Sequence, residues 1–316
     1  MRTESAAGMN GRKLSPADHI SVCICTFRRP ELLTRLIEAI SNQRRDPRVS
    51  FDVVVVDNDA DRSAEPIVRD FRNRTDLEVI YDVEPQRNIS LARNRAIRHA
   101  SGNLVAFLDD DECPVQDWLL QLYNTWRAHD ADGVLGPVVP DYPAEAPAWL
   151  RAGRFFERRR LQTGSCISGR DARTGNVLLR RSVLASDNGW FDPAFGRTGG
   201  EDSDFFRRQF ANGRVFVWCD EAVAHETVPP ERWSASFHLK RYWRSGTIDG
   251  EWMREGRIPW AAPLAKSLLL LCAGVALSPF TLLLSKHVRV RVWQKLAYCG
   301  GTVAAVGGVS MLRDRD

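Results

Sequence analysis

The sequence predicts an α/β protein built on a doubly wound, mostly parallel sheet, and three observations predict it. Short apolar runs alternate with amphipathic stretches through the first half of the chain, as strands joined by crossover helices do. One run, Phe51-Asp-Val-Val-Val-Val56, is almost continuously β-branched, as a central strand covered on both faces requires. Polar residues gather where these runs end: Thr26-Phe27-Arg28, Asp57-Asn58-Asp59 and Asp109-Asp110-Asp111. In such sheets ligands bind outside the carboxyl ends of the strands, near the point where strand order reverses.

The elements follow in order. Ile20–Cys25 alternates apolar and small residues and reads as the first strand, with Cys23 and Cys25 as small hydrophobes. Pro30 opens a helix at its first position, and Leu32, Leu33, Leu36, Ile37 and Ile40 share one face. After the Phe51–Val56 strand come a helix near Glu65–Phe71, a strand at Glu78–Tyr81, and a helix over Ser90–Ala100 with Ser90 as its N-cap. Asn103–Leu108 is the strand that leads into the aspartates, and Trp118, Leu119, Leu122 and Trp126 mark the next helix. From about Pro140 the pattern loosens into Pro-rich and Arg-rich sequence, ending in the turn-like Arg173–Asn176 and a strand at Val177–Leu179. Gly199-Gly200-Glu201-Asp202-Ser203-Asp204 precedes a helix at Phe205–Phe210, and Val215–Trp218 is apolar.

At 316 residues, with 27% charged and 44% apolar residues, the chain has ordinary globular composition and room for one sizeable domain plus an extra module. A net charge of +4, no zinc-like Cys pairs and no aromatic-rich RNA motif give no case for a nucleic-acid partner. Charge placement is more informative: Arg151, Arg154, Arg158, Arg159 and Arg160 form one basic block, and Lys286, Arg289, Arg291 and Lys295 form another. Both suit phosphates or anionic lipid. Seven cysteines, an odd number, with two inside a strand, argue for a reducing compartment. Residues 1–18 are polar, lack the apolar core of a signal peptide, and read as a disordered leader.

Three adjacent carboxylates at the end of a buried strand repel one another unless a cation neutralises them. A metal carrying a phosphate ester outweighs a solvated acidic loop as the reading of Asp109-Asp110-Asp111, since the strand before it is strongly apolar. Neither GxGxxG nor GxxxxGK[ST] occurs at a strand-to-helix turn, which leaves phosphate neutralisation to a metal, to Arg, or to both. In the second acidic cluster one carboxylate suits a general base, while Asp202 or Ser203 as a helix cap is a sufficient structural reason for it. The Gly pair would let a substrate approach closely. His225 alone is a satisfied histidine at odds of roughly three to one; beside an aspartate cluster it becomes a candidate ligand for Mn2+ or Mg2+. Arg93 and Asn94 lie on the helix before the aspartate strand, where an exposed face is the commoner fate of Arg. Arg244 reads either as a diphosphate contact or as a surface ion pair.

Taken together, Val22-Cys-Ile-Cys-Thr-Phe-Arg-Arg-Pro30, Val55-Val-Asp57-Asn58, Asn88-Ile-Ser-Leu-Ala-Arg-Asn94, Phe107-Leu-Asp-Asp-Asp-Glu112, Thr174-Gly-Asn176, Gly199-Gly-Glu-Asp202 and Ala224-His225 resemble the GT-A-type inverting glycosyltransferases that use nucleotide-diphospho-sugars. The resemblance covers about Ile20 to Gly250. The phrases Phe107–Glu112, Leu135–Val138 and Thr198–Asp202 look like the succinoglycan-type exopolysaccharide glucosyltransferases. The resemblance implies that Cys25, Thr26, Phe27 and Arg28 line the base pocket, that Asp57 bonds the base, and that Arg93 supports the nucleotide. It implies that Asp109 and Asp111 occupy the DXD positions, one near the ribose and one on the metal, with Asp110 making the pair ambiguous. It further implies that Asp202 is the general base with Glu201 its acidic neighbour, that His225 is a third metal ligand, and that Gly175, Asn176, Gly200 and Arg244 contact acceptor or diphosphate. A Gln-x-x-Arg-Trp motif is not found, only Lys240-Arg-Tyr-Trp-Arg244, so single-sugar addition is expected over processive polymerisation.

The expected reaction moves one sugar, glucose, from a UDP-linked donor to a polyprenyl-diphosphate-linked oligosaccharide in the synthesis of exopolysaccharide or another cell-surface polysaccharide. The expected organisation is a leader (1–18), a catalytic domain (19–250) and a membrane-associated helical hairpin (251–316). Ala261–Leu284 is long enough to span the ~30 Å hydrocarbon layer, and Leu296–Leu312 is at the short limit. Two spans would carry Lys286–Lys295 away from the side where nucleotide sugars occur, against the preference of basic loops for the cytoplasm. The segments therefore read as a re-entrant or interfacial hairpin on the cytoplasmic face of the cell membrane, its basic turn near the head groups, or as a buried helix pair. Two rivals are a sugar nucleotidyltransferase, which needs a Gly-rich phosphate loop near the first strand, and a non-catalytic membrane scaffold, which has no use for carboxylates at these places.

Overall fold

A computed structural model describes residues 18–169, 171–185 and 190–309. All of the expected leader except Asp18, and the last residues of the second apolar stretch, lie outside them. β1 (Asp18–Thr26) leads through α1 (Pro30–Ser41) to β2 (Val49–Asp57), and the two strands pair in parallel from Asp18↔Val49 to Thr26↔Asp57. α2 (Glu65–Arg74) returns the chain to β3 (Val79–Val83), and α3 (Ile89–His99) to β4 (Leu104–Asp109). β4 lies in parallel on the other side of β1, with Asp109 opposite Cys25. Strand order thus reverses at β1, and the crevice this creates opens between Thr26 and Asp109.

The chain continues through β5 (Glu112–Pro114), α4 (Trp118–His129), β6 (Gly133–Leu135), β7 (Val138–Asp141) and α5 (Ala148–Gly153) to β8 (Val177–Arg180). β8 runs antiparallel to both β4 and β6, the reversed strand in an otherwise parallel sheet. After α6 (Glu201–Ala211), β9 (Phe216–Trp218) completes a seven-stranded sheet in the order β3-β2-β1-β4-β8-β6-β9. β10 (Ala224–Thr227) lies between β5 and β7 in a small second sheet beside the aspartates.

Alternation along β1 explains why both faces are apolar. Ile20, Val22 and Ile24 pack against Leu33, Leu36, Ile37, Ile40 and Trp118 on one side of the sheet. Cys23 and Cys25 meet Ala92, Ala96 and Phe107 on the other. The thiols occupy the side where α3 approaches with alanines, and all seven cysteines are free.

Three local expectations change. Asn88, not Ser90, caps α3, accepting from the Leu91 N–H at 3.2 Å. α6 starts at Glu201 rather than Phe205, its cap being Gly200, so Asp202 and Ser203 lie in the first turn instead of capping it. The Lys286–Lys295 block is not a turn: it forms the first half of a helix.

The C-terminal region consists of α7 (Ala235–Arg254), α8 (Ala261–Leu277) and α9 (Lys286–Val306), with 3-10 turns at Ser278–Leu283. α7 runs continuously through residue 250, so the division expected there falls inside an element. α9 buries Val290, Gln294, Cys299, Gly301, Thr302 and Ala305, and glycines of α7 and α9 let the two backbones meet. The two apolar stretches therefore part company. α9 is a packed partner of α7, whereas the Ala261–Leu283 segment is only 11% buried and is long and apolar enough to cross a membrane.

Candidate active site

The end of β1 supplies Thr26, whose hydroxyl donates to Asp110 Oδ2 at 2.9 Å. Asp110 also accepts from Arg29 Nη1 at 2.8 Å and is buried. With its carboxylate so engaged, Asp110 ties β4 to β1; Asp111 pairs with Arg232 at 3.1 Å and Arg29 at 3.4 Å, and Asp109, its side chain 47% exposed, is the most open of the three. Burial pushes the Cys25 thiol beneath them up to about 12, so it is a packed hydrophobe and not a nucleophile. The Phe27 ring lies under two guanidiniums, Arg87 at 4.7 Å and Arg28 at 5.4 Å. Arg28 has φ 53°, and its side chain pairs with Asp59 at 2.9 Å and Asp61 at 2.6 Å.

Asp57 is fully buried at the end of β2. Its oxygens accept from the backbone N–H groups of Asp59 (3.1 Å) and Ala64 (2.7 Å) and from the Tyr81 hydroxyl (3.2 Å). Burial nevertheless raises its pKa. The carboxylate thus shapes the loop that follows β2. Asn58 continues the work: its side chain bonds the carbonyls of Glu84 and Gln86 and the N–H of Asn88, fixing the start of α3 against β2.

Arg93, expected to support the nucleotide, is buried and does not take the exposed face that is the commoner fate of Arg. Nη1 donates to Glu201 Oε1 at 2.9 Å and Nη2 to Asp109 Oδ1 at 3.1 Å. One guanidinium therefore links the β4 carboxylates to the start of α6. Glu201, expected from the resemblance to be catalytic with Asp202, is 2% exposed and holds Arg93, a positioning role in place of a catalytic one. Asp202, next along, is half-buried and accepts from the Ser203 N–H at 2.7 Å. Gly199 and Gly200, at φ 92° and 99°, make the turn that places it there, a conformation other residues adopt only with strain.

The opposite wall comes from the segment before β8. A Cβ on Gly175 would lie 2.6 Å from Glu112 Oε1 and 3.2 Å from Asp109 Oδ2, so any larger residue there would displace these carboxylates. Asn176, expected to touch acceptor or diphosphate, is fully buried at φ 57°. Its amide donates to the Pro137 and Ala222 carbonyls and accepts from Trp118 Nε1 at 2.7 Å. It is a structural residue. Arg244 is half-buried on α7.

Glu112 was not singled out by sequence, though it ends the Asp109–Glu112 run. It is buried and accepts from the Asp109 N–H at 3.1 Å, and burial followed by the Asp109 charge raises its pKa strongly. Asp111 is pushed up to about 6 by burial and then by Glu226, Asp109 and Asp110, despite Arg232 at 3.1 Å. Sequence offered only an indirect sign of Arg29, Arg232 and Glu226: three aspartates need cations, and cations recruit further acids.

His225 does not join this group. Its Nδ1 lies 3.2 Å from Asp141, and across the small sheet it pairs with Cys113 and Val139, on the opposite face from Glu226 and Glu112. Among the described residues no three His, Cys, Asp or Glu side chains converge as a ready metal cage. A hard divalent cation still fits the donors present. Asp109 and Asp111 offer carboxylate oxygens where Asp109, Asp110, Asp111, Glu112 and Glu226 outnumber Arg29, Arg93 and Arg232, and Mg2+-type sites commonly use one or two carboxylates completed by substrate phosphates.

Residues 21–186 match the model of glycosyl transferase family 2, and residues 104–311 match that of glycosyl transferase family group 2. The succinoglycan biosynthesis protein ExoM of Rhizobium meliloti is 36% identical over 266 residues, covering 83% of this chain and 85% of that protein. The mannosyltransferase PcManGT from Pyrobaculum calidifontis, solved with GDP-Man and Mn2+, superposes with a TM-score of 0.62 at 18% identity, covering 93% of this chain and 88% of that one. S. aureus TarS 1-349, solved with UDP-GlcNAc, gives a TM-score of 0.56 at 15% identity, with 92% of each chain covered.

Proposed function

This chain belongs to glycosyl transferase family 2, and from that premise we propose that it is an inverting, metal-dependent transferase that moves one glucose from UDP-glucose to a polyprenyl-diphosphate-linked oligosaccharide in exopolysaccharide synthesis. The observation that carries this reading is the Arg93 bridge. It fixes the acidic end of β4, suited to a donor diphosphate, against the first turn of α6, which carries the half-buried Asp202. Similarity to a succinoglycan biosynthesis protein supports the polysaccharide context, and neighbours of the same GT-A fold solved with nucleotide sugars support the donor class.

Thr26, Phe27, Arg28 and the loop ordered by Asp57 would enclose the nucleoside. Asp109 and Asp111 would hold Mn2+ or Mg2+, which when bound neutralises the diphosphate as it departs. Asp202 would take the proton of the acceptor hydroxyl as its oxygen attacks the anomeric carbon. The bond from that carbon to the diphosphate oxygen breaks on the opposite face, so configuration inverts and the electron pair leaves with the nucleoside diphosphate. Arg93 keeps Asp109 and α6 in register during this step, acting through position.

General-base assistance is worth about 10²–10⁴-fold in rate. Purified protein screened against a panel of nucleotide sugars, with and without Mn2+, should turn over UDP-glucose in a metal-dependent way. Asp202→Asn should cut turnover within that range while UDP affinity is preserved; wild-type turnover in this variant would refute the base assignment. A sugar nucleotidyltransferase would instead make UDP-glucose and release pyrophosphate when the same protein is given UTP and glucose 1-phosphate, and that outcome would refute the glycosyltransferase reading.

A further inference from the structure

Most cations near the site are matched by acids: Arg93 by Glu201 and Asp109, Arg29 by Asp110, Arg232 by Glu226 and Asp111. Three guanidiniums are not. Among the described residues, Arg158, Arg173 and Arg241 make neither a hydrogen bond nor a close ion pair with an acid, yet they stand in one another's field. Burial and then the Arg158 charge push Arg173 down to about 10, with Arg241 acting in the same direction; Arg241 is likewise lowered by burial and then by Arg158. Asp202 and Glu112 act on Arg173, and Glu226 on Arg241, but only through space and not by direct pairing, so an anion that bonds the guanidiniums directly would relieve the repulsion among them.

The framework around the cluster is firm. Arg241 lies 5.8 Å over the Phe156 ring, two residues before Arg158 in the chain. Phe156 in turn packs against His238, one turn before Arg241 on α7, at 5.2 Å. Arg173 stands two residues before Gly175, whose backbone abuts Glu112 and Asp109. The acids that act on Arg173 are Asp202 and Glu112, and neither belongs to the wall formed by Thr26, Phe27 and Asp57. The segment before Phe156 adjoins the start of α9: Lys286 lies 4.7 Å over Trp149, and Arg291 lies 5.9 Å over Phe155 and donates to the Gly153 carbonyl.

We propose that Arg158, Arg173 and Arg241 form a second diphosphate subsite, on the acceptor side of Asp202, that holds the lipid-borne diphosphate of the acceptor. Guanidinium forks match phosphate oxygens in geometry, and three of them suit a diphosphate better than a single carboxylate. The donor's diphosphate has the same chemistry, but it is served by the cation site at Asp109 and Asp111. This assignment rests on the glycosyltransferase reading above and adds to it the chemistry by which the acceptor is recognised.

Full-length protein in detergent micelles, saturated with UDP at fixed free Mg2+, is titrated calorimetrically with inorganic pyrophosphate. The wild type should bind it, and the Arg158→Gln/Arg173→Gln double variant should bind it at least about tenfold more weakly, with Arg173→Lys between them. UDP affinity, measured separately, should not follow that loss. Removing mutually repelling charges should leave the melting temperature equal or higher, which separates lost binding from lost folding. Equal pyrophosphate affinity in wild type and double variant overturns the subsite. A fall in UDP affinity in step with pyrophosphate overturns it too, by assigning the cluster to the donor. A wild type that does not bind UDP fails at the earlier step and refutes the glycosyltransferase reading itself.

Discussion

Arg93 shows how burial and charge divide the labour at single residues. Burial alone would lower its pKa, yet Asp109 and Glu201 hold it charged and raise it. Glu201 is buried beside that guanidinium at 2.9 Å, and removing Arg93 would break a buried pair, which is strongly destabilising. Two adjacent acids thus differ in surroundings: Glu201 is buried against Arg93, and Asp202 is half-buried, as the general-base proposal requires. His238 illustrates the opposite case. It is buried among Trp149, Phe155, Phe156 and Phe237, and burial, then the Arg241 charge, pushes its imidazole down to about 4 from 6.5. Below pH 6.5 the unfolded chain therefore takes up a proton that the folded chain refuses until about pH 4. The stability contribution is full above that window and is lost as pH falls through it, by at most about 1.4 kcal/mol per pH unit. Urea midpoints at pH 7 and 4.5 should show a steeper fall for the wild type than for His238→Gln; parallel falls would mean that His238 does not carry the dependence.

At the scale of elements, α7 and α9 meet backbone to backbone. Gly246 approaches the Tyr298 carbonyl, Gly301 approaches the Trp243 carbonyl, and a Cβ on Gly250 would lie 2.6 Å from the Thr302 carbonyl oxygen. Glycine inside a helix ordinarily costs about 1 kcal/mol relative to alanine. Here the sign should reverse, because the atom in the way is main chain and cannot rotate aside. Gly250→Ala is expected to destabilise by about 1–3 kcal/mol, read as a lowered urea midpoint. A stabilised variant would mean that the two helices separate easily. The same contact explains why residue 250 is no boundary: the helix that carries Arg241 and Arg244 is completed by the helix that begins with the basic block. Sequence marked only the second half of α9, through the apolar stretch Leu296–Leu312, and did not mark α7, where Gly246 and Gly250 lie four residues apart. Which partner those glycines faced was not legible, because spacing within one helix says nothing about what packs on it.

The whole molecule joins an α/β body to one uncovered apolar segment. Leu269, Val275, Phe280 and Leu283 are among its exposed side chains, and a patch of this size is left open in a stable protein only where something apolar covers it. We propose a bilayer surface on the cytoplasmic side, with α8 dipping into it and α9 kept back by α7. The full-length protein should co-sediment with phosphatidylglycerol-containing vesicles, and replacing Leu269, Phe280 and Leu283 together by Ser should weaken that partition by at least about a hundredfold. Undiminished co-sedimentation would place the contact elsewhere.

By itself the sequence determined the sheet, the crevice and the carboxylates. Period-two and period-3.6 apolar patterns set the strands and helices, and the polar residues that end those strands lie, by that geometry, at one edge. It also placed Asp202 beside a Gly pair, since only glycine tolerates two successive left-handed residues. The tertiary structure alone decided what each polar group faces. It turned His225 and Asn176 away from the crevice, buried Glu201 and Arg93 as a pair, occupied Asp110 with Thr26 and Arg29, and gathered Arg158, Arg173 and Arg241 from three separate segments. The reason is physical: secondary structure follows from the local period of the chain, whereas a side chain's charge state and role depend on neighbours far along it, which only packing brings together.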